Sequence, residues 1–205
     1  VGVEPTIFVV DDDAGVSRAL ASAGALLGHP VRAFASAAEF LAAYDPAAPG
    51  CLVLDVKMPG MTGLELQRKL ADDGVRLPVV MVSGHADVRI AVEAMTLGAL
   101  TLLEKPFRLD ELMAHLRTAL ARDAAARVAA ERQDAAAARL AALTPKEREV
   151  LERIARGATN KDIAAELGLS VRAVEDRRAR LMKKMDARSV ADLVWVISAT
   201  GDPGA

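Results

Sequence analysis

The 205-residue chain has one cysteine, three histidines and only 3 % aromatic residues. A single cysteine, Cys51, forms no disulfide within the chain. It lies in an apolar, β-rich run, so a buried and inert thiol is expected, in keeping with a reducing cytoplasm. Three scattered histidines with one cysteine do not supply a structural zinc site. No apolar run approaches the ~18 residues of a membrane span, and no signal peptide opens the chain. The chain starts at Val1 rather than Met, so further native sequence ahead of it is expected. Much of the 52 % hydrophobic share is alanine, which points to helices of small residues. The length allows one or two domains with an ordinary core.

Charge is unevenly placed. Residues 1–122 carry 11 Lys+Arg against 15 Asp+Glu, whereas residues 143–205 carry 12 against 10. Within 172–188 the count is 7 against 3. An acidic first half and a locally basic second half suggest different partners for each.

The first half alternates short β-rich runs with helical patterns. Thr6–Val10 stops at Asp11-Asp12-Asp13, and helical spacing of Val16, Leu20, Ala23 and Leu27 follows, with Gly28 as a C-cap. Further strands are expected at Val31–Phe34, up to Asp55, at Pro78–Ser83 and at Thr101–Leu103. Helices are expected after Ser36-x-x-Glu39 and Thr62-x-x-Glu65, both capping-box patterns, at Asp87–Leu97 and from Leu109. Such alternation implies a parallel sheet covered on both faces.

Asp11 and Asp12 then end the first strand, Asp55 the third and Ser83 the fourth, and Lys105 follows the fifth. In a parallel sheet these ends share one edge, where open α/β folds keep their sites. Taken alone, Asp55 before Pro59-Gly60 could simply cap a turn. With its neighbours it suggests more. Carboxylates about 4 Å apart repel by roughly 4 kcal/mol per pair at an effective dielectric of 20. A divalent cation relieves that repulsion, and oxygen ligation favours Mg2+. A carboxylate, a cation, a hydroxyl and an ammonium together suit phosphoryl transfer, with Asp55 as the nucleophile.

Val9-Val10-Asp11-Asp12-Asp13, Leu54-Asp55-Val56-Lys57-Met58-Pro59-Gly60-Met61-Thr62-Gly63, Val82-Ser83-Gly84-His85 and Glu104-Lys105-Pro106-Phe107 resemble the signature of a response-regulator receiver domain, over about residues 4–120. The resemblance implies a five-stranded flavodoxin-like sheet of order 2-1-3-4-5. It implies phosphorylation of Asp55 by a sensor histidine kinase. Asp12, Asp55 and the main-chain carbonyl of Lys57 would ligate Mg2+, with Asp11 in the outer shell. Ser83 and Lys105 would bind the phosphoryl group, and Lys105-Pro106 would be a cis peptide. Three residues before Lys105, where such domains place Tyr or Phe, stands Leu102. An aromatic switch is thereby lost, and packing of the fourth helix and fifth strand is the alternative route. Gly84 leaves space beside the phosphoryl site. Lys57 and His85 sit where family members tune acyl-phosphate lifetime, and a plain surface role for His85 remains open.

From Leu109 the helical pattern runs unbroken to about Ala142. Leu109, Leu112, Leu116 and Leu120 form an apolar stripe that fades beyond Asp123 into Ala with scattered charges. A semi-stiff helical linker over 121–142 is expected, either a solvated connector spanning roughly 30 Å or a coiled-coil seam.

Thr144-Pro145-Lys146-Glu147 opens a helix to Arg156, with an N-cap, Pro at N1 and Glu at N3. Asn160–Leu167 is a short helix, Gly168-Leu169 a turn, and Ser170 caps a basic helix to Met185: a helix-turn-helix. At 100° per residue Val174, Leu181 and Met185 define its core face. Arg172, Asp176, Ala179, Arg180 and Lys183 oppose that face and Glu175 flanks it. Arg178 lies near the core edge, where its stem can pack while its head reaches a phosphate. The acidic pair either accepts from cytosine amino groups or is merely solvated. Ser189-x-x-Asp192 caps a last helix, with Val190, Leu193, Val194 and Ile197 expected on its buried face.

Leu143–Leu151, Gly157–Ala164 and Ser170–Glu175 resemble the LuxR-type DNA-binding domain, expected over 143–205 behind a receiver at 1–120. The combination resembles NarL/FixJ response regulators, and Gly84–Val88 with Ala91–Met95 leans toward the FixJ-like branch. The resemblance implies DNA contacts by Lys161 and the third helix, and dimerisation on DNA through the fourth. The expected protein is a cytoplasmic transcriptional regulator, with no enzymatic activity beyond its own phosphorylation and dephosphorylation. Phosphorylation would drive a homodimer onto operator half-sites, and RNA polymerase is a further possible partner. The alternative is a receiver that works through protein–protein contacts or as a phosphate sink.

Overall fold

The computed structural model describes residues 3–85 and 87–200, with no side-chain account for 198–200. Ala86, within the FixJ-like stretch, and residues 1, 2 and 201–205 of the expected domains lie outside the described residues. The chain divides into two compact units, Val1–Ala126 and Arg127–Ala205.

In the first unit, β1 (Thr6–Val10), β2 (Val31–Phe34), β3 (Gly50–Asp55), β4 (Val79–Ser83) and β5 (Thr101–Glu104) form one sheet in the order β2-β1-β3-β4-β5. Every pairing is parallel. The order 2-1-3-4-5 is the one expected. Between the strands run α1 (Ala14–Leu27), α2 (Ala37–Ala43), α3 (Gly63–Asp72) and α4 (Val88–Thr96), and α5 (Leu109–Ala141) follows β5.

Side-chain alternation divides the core. Ile7, Val9, Cys51, Val53, Val80, Val82 and Leu103 pack on one face with Leu20 of α1 and Leu112, Leu116 and Ala119 of α5. Phe8, Val10, Leu52, Leu54, Val79 and Met81 pack on the other with Phe40 of α2, Leu66 and Leu70 of α3 and Ala94 of α4. A strand covered on both faces needs no polar side, and for that reason β3 and β4 read as continuous apolar runs. Burying each large apolar side chain here contributes about 1.5–3 kcal/mol.

The caps follow the sequence with one variation. Thr62 and Glu65 close a full capping box on α3. At α2, Ser36 accepts from the Glu39 amide, but the Glu39 carboxylate accepts from the amide of Ala35 rather than of Ser36.

The stripe of α5 differs from the expected one. Leu109 is exposed at the first turn, and the buried positions are Leu112, Leu116, Ala119 and then Asp123. The spacing continues, but its last member is a carboxylate. Asp123 Oδ2 accepts from the backbone N–H of Gly50 at 2.8 Å, which satisfies the donor at the start of β3. Ala136 and Leu140, in the last turns of α5, are buried in the core of the second unit. The segment expected over 121–142 as a solvated connector or a coiled-coil seam is thus packed near each end, at Asp123 and at Ala136 and Leu140, while residues 128–135 between them are exposed.

The second unit contains α6 (Pro145–Ala155), α7 (Asn160–Leu167), α8 (Val171–Met185) and α9 (Val190–Thr200). Its core joins Val150, Leu151 and Ile154 of α6, Ile163 of α7, Val174, Leu181 and Met185 of α8, and Leu193, Val196 and Ile197 of α9. The expected buried face of α9 is thus corrected. Val190 and Val194 are exposed, and Val196 takes the interior place, because positions 193, 196 and 197 share one helical face. Glu147, though buried, accepts from the Thr144 backbone N–H and from Lys184 Nζ at 2.7 Å. Among the described residues no helix is long and apolar enough to cross a membrane.

Candidate phosphoacceptor site and nucleic-acid face

At the carboxyl edge of the sheet, parallel register brings the strand ends together. Asp11 follows β1 and is buried, Asp55 is the last residue of β3 and Ser83 the last of β4, both buried. Lys105, just after β5, is half-buried, and its backbone N–H donates to the Ser83 carbonyl at 2.8 Å. Its Nζ lies 2.7 Å from Asp11 Oδ2 and 3.0 Å from Asp55 Oδ1. The other oxygen of Asp11 accepts from the Asp13 amide at 2.9 Å, so Asp11 is held on both sides. Asp13 itself caps α1, accepting from the Gly15 amide. Asp12 is exposed.

The electrostatics follow from this packing. Burial raises the Asp55 pKa first; Lys105 pulls it back, and Asp11 and Asp12 push it up, leaving it above the ordinary carboxylate value. Burial alone would lower the Lys105 ammonium, but the hydrogen bonds and charges of Asp11 and Asp55 outweigh it and raise the value. Ligand atoms of Asp11, Asp12 and Asp55 lie within 4.8 Å of one another. Three carboxylates facing a single ammonium leave excess negative charge, and an all-oxygen donor set of that kind fits a hard divalent cation such as Mg2+.

The remaining predicted residues are placed around this cluster. Ser83 Oγ donates to the His85 carbonyl at 2.8 Å and accepts from the His85 amide at 3.2 Å. Lys57 and His85 are exposed. The Lys105–Pro106 peptide is cis. Leu102 of β5, paired with Met81, is half-buried against the core beneath α3 and α4. A Cβ on Gly84 would meet nothing within 4 Å, so the space beside Ser83 is open.

Sequence reasoning passed over Gly63. Its amide donates to the Val56 carbonyl at 3.0 Å, which seats the start of α3 on the end of β3. A Cβ there would run into the backbone carbonyl of Asp55, so only glycine permits this approach. The signal was available as a helix that opens with Gly directly behind a Thr N-cap.

In the second unit α7 ends at Gly168, whose left-handed φ of 64° turns the chain, and Ser170 then caps α8. Lys161 on α7 and Arg172, Glu175, Asp176, Ala179, Arg180 and Lys183 on α8 are all exposed. Arg178 is half-buried, and its Nη1 donates to Asn160 Oδ1 at 2.9 Å, so its head braces α7. Asn160 was not foreseen in that role.

Residues 7–117 match the model of the response regulator receiver domain. The chain is a response regulator. Residues 141–197 of the regulator match the bacterial regulatory proteins of the luxR family, which makes its second unit a DNA-binding, helix-turn-helix output domain. It is 43 % identical over 195 residues to the transcriptional regulatory protein FixJ of Azorhizobium caulinodans, covering 95 % of this chain and 92 % of that one. It is 40 % identical over 199 residues to the response regulator protein TmoT of Ectopseudomonas mendocina, covering 97 % and 90 %. Among solved structures it is similar to the response regulator StyR, with a TM-score of 0.89 and 39 % identity, covering 96 % of this chain and 99 % of that one.

Proposed function

We propose that this response regulator takes a phosphoryl group onto Asp55 from a sensor histidine kinase, and that the acyl phosphate controls DNA binding by the second unit. The observation that carries the reading is Lys105 Nζ bonded to both Asp11 and Asp55 at a buried sheet edge. An Asp55 oxygen attacks phosphorus, the phosphorus–nitrogen bond to the kinase histidine breaks, and that nitrogen leaves with the electron pair. Lys105, within reach of Asp55, follows the new negative charge onto a phosphoryl oxygen. Ser83 Oγ gives up the His85 carbonyl and donates to another. Asp11 stays held by Lys105 and the Asp13 amide and positions the ammonium. Asp12, Asp55 and the carbonyl of Lys57 would hold Mg2+, with Asp11 in its outer shell, and the ion when bound offsets charge on the transferring phosphoryl oxygens. Hydrolysis of the acyl phosphate at the same site resets the protein; no other enzymatic activity is part of this reading.

Loss of the Ser83–His85 pairing bears on the segment into α4, and the half-buried Leu102 links that change to β5 by packing alone. The exposed Val88, Val92 and Met95 of α4 supply apolar area for a homodimer formed on phosphorylation. Two output domains then engage two half-sites, gaining avidity without new base contacts. Lys161, Arg172, Arg180 and Lys183 offer cations to phosphates, and Glu175, Asp176 and Ala179 lie where base edges would be read. In this reading 1–120 is the receiver, 121–142 the joining segment and 143–205 the DNA reader, acting in the cytoplasm on transcription.

The test is a gel shift on genomic fragments with a phosphodonor and Mg2+, wild type beside Asp55→Asn. The donor is expected to increase dimer and operator affinity in wild type only, with affinity falling steeply as salt rises. Equal gains in Asp55→Asn refute the switch. Phosphorylation without any salt-sensitive DNA binding favours the phosphate-sink alternative.

A further inference from the structure

We propose that Arg178 serves DNA binding as a positioning residue: through Asn160 it holds the start of α7 against α8, and it makes no phosphate contact of its own. The proposal rests on the reading given above, in which Lys161 on α7 meets phosphate and α8 enters the groove.

Helix α7 is short and thinly anchored. Of its eight residues, two are buried, Ile163 and Ala164, and they are neighbours near its middle. Apolar packing at one place leaves the ends of the helix to be fixed by polar contacts. At the far end Glu166 accepts from Arg153 Nε of α6 at 2.8 Å. At the near end Asn160 Oδ1 accepts from Arg178 Nη1 of α8 at 2.9 Å. Asn160 is not the cap, because Thr159 and Asp162 already form the capping box. Nor is asparagine a strong helix former, so the helix itself does not call for it. What it supplies is the acceptor that faces α8. Arg178 stands four residues after Val174 and three before Leu181, both buried, so helical geometry keeps its stem at the core edge. It is half-buried, whereas Arg172, Arg180 and Lys183 are exposed. A bond already made in the free protein sets α7 in place before DNA arrives, which removes an ordering cost from binding. Lys161 directly follows Asn160, so it is placed by the same contact.

The test is a double-mutant cycle read by DNA binding. The probe is a duplex that the full wild-type chain selects from a randomised pool, with acetyl phosphate and Mg2+ present. Asn160→Ala and Arg178→Met should each weaken binding about fivefold per half-site, as expected for one hydrogen bond. The double variant should bind no more weakly than the weaker single one. Both single variants should keep the wild-type slope of log affinity against log salt, whereas Lys161→Ala should reduce it by about one per half-site. Additive losses in the double variant mean that the two residues act separately, and they overturn the proposal. A slope lowered in Arg178→Met as in Lys161→Ala means a direct phosphate contact and overturns it as well. So does wild-type affinity in Asn160→Ala, and this variant, with the better helix former, decides the matter if Arg178→Met fails to fold. An unchanged slope in Lys161→Ala refutes the assignment of Lys161 alone, and the cycle still decides for or against Arg178. A wild-type chain that selects no duplex refutes the DNA reading and this proposal together.

Discussion

Replacing Gly63 by alanine adds one methyl group where backbone atoms already stand. The new carbon would overlap the Asp55 carbonyl oxygen, lie 2.9 Å from the carbonyl carbon and 3.1 Å from Val56 Cα. None of these is the tip of a flexible side chain, so either α3 or the end of β3 must move. Overpacking of this kind costs about 1–3 kcal/mol. Alanine also restricts the unfolded chain and returns about 0.4–1 kcal/mol. The net expectation is a loss of about 1–2 kcal/mol, which lowers a urea midpoint by about 0.5–1 M at a typical dependence of ~2 kcal/mol/M. Gly84→Ala is the control, since its Cβ would meet nothing within 4 Å and it should leave stability level or slightly higher. The chain's one tyrosine, Tyr44, belongs to the first unit and its one tryptophan, Trp195, to the second. Tyrosine and tryptophan emission in the full chain therefore follow the two units separately. Equal tyrosine-detected midpoints for the two variants refute the close-packing argument. So does a Gly63→Ala loss that appears in tryptophan emission alone.

Two further outcomes follow from buried carboxylates. Asp123→Ala leaves the Gly50 amide buried without its acceptor and should destabilise the first unit by about 1–3 kcal/mol in the tyrosine-detected transition; an unchanged midpoint would show that the contact contributes nothing. Glu147 is held down to about 2, first by the hydrogen bond from Lys184 and then by the Thr144 amide. Since the folded value lies below the ordinary 4.5, its contribution is complete above that pH and is lost as pH falls toward about 2. Tryptophan-detected stability should fall across that window in wild type and less steeply in Glu147→Gln; parallel slopes refute the linkage.

The receiver half was legible because its signals are local. Short apolar, β-rich runs, capping residues and glycine turns mark the elements, and a parallel sheet forces strand-end residues onto one edge. That logic brought Asp11, Asp55 and Lys105 together before any distance was known. Long-range satisfaction of single groups was not legible. Asp123 occupies a core position of α5 but reads as a solvated charge, because its partner is a backbone N–H in β3, far away in sequence. Arg178 reads as a free cation for the same reason, its acceptor being Asn160 on another helix. In α9 nearly every residue is apolar, so hydrophobicity alone could not choose between Val194 and Val196 for the interior. Gly63 stands in the quoted motif directly behind the Thr62 N-cap, but the backbone it must approach, at the end of β3, is fixed only by the fold.

Cys51 bears on how this regulator can be studied. Burial, with the negative charge of Asp123 added, pushes its thiol up to about 12, so at neutral pH it is both uncharged and out of reach of solvent. A cysteine introduced at exposed Ala179 would thus react alone with a thiol-directed dye, without removal of the native residue. Any slow modification of Cys51 would measure how often the central strand comes open, giving the receiver a built-in clock for its own excursions from the folded state.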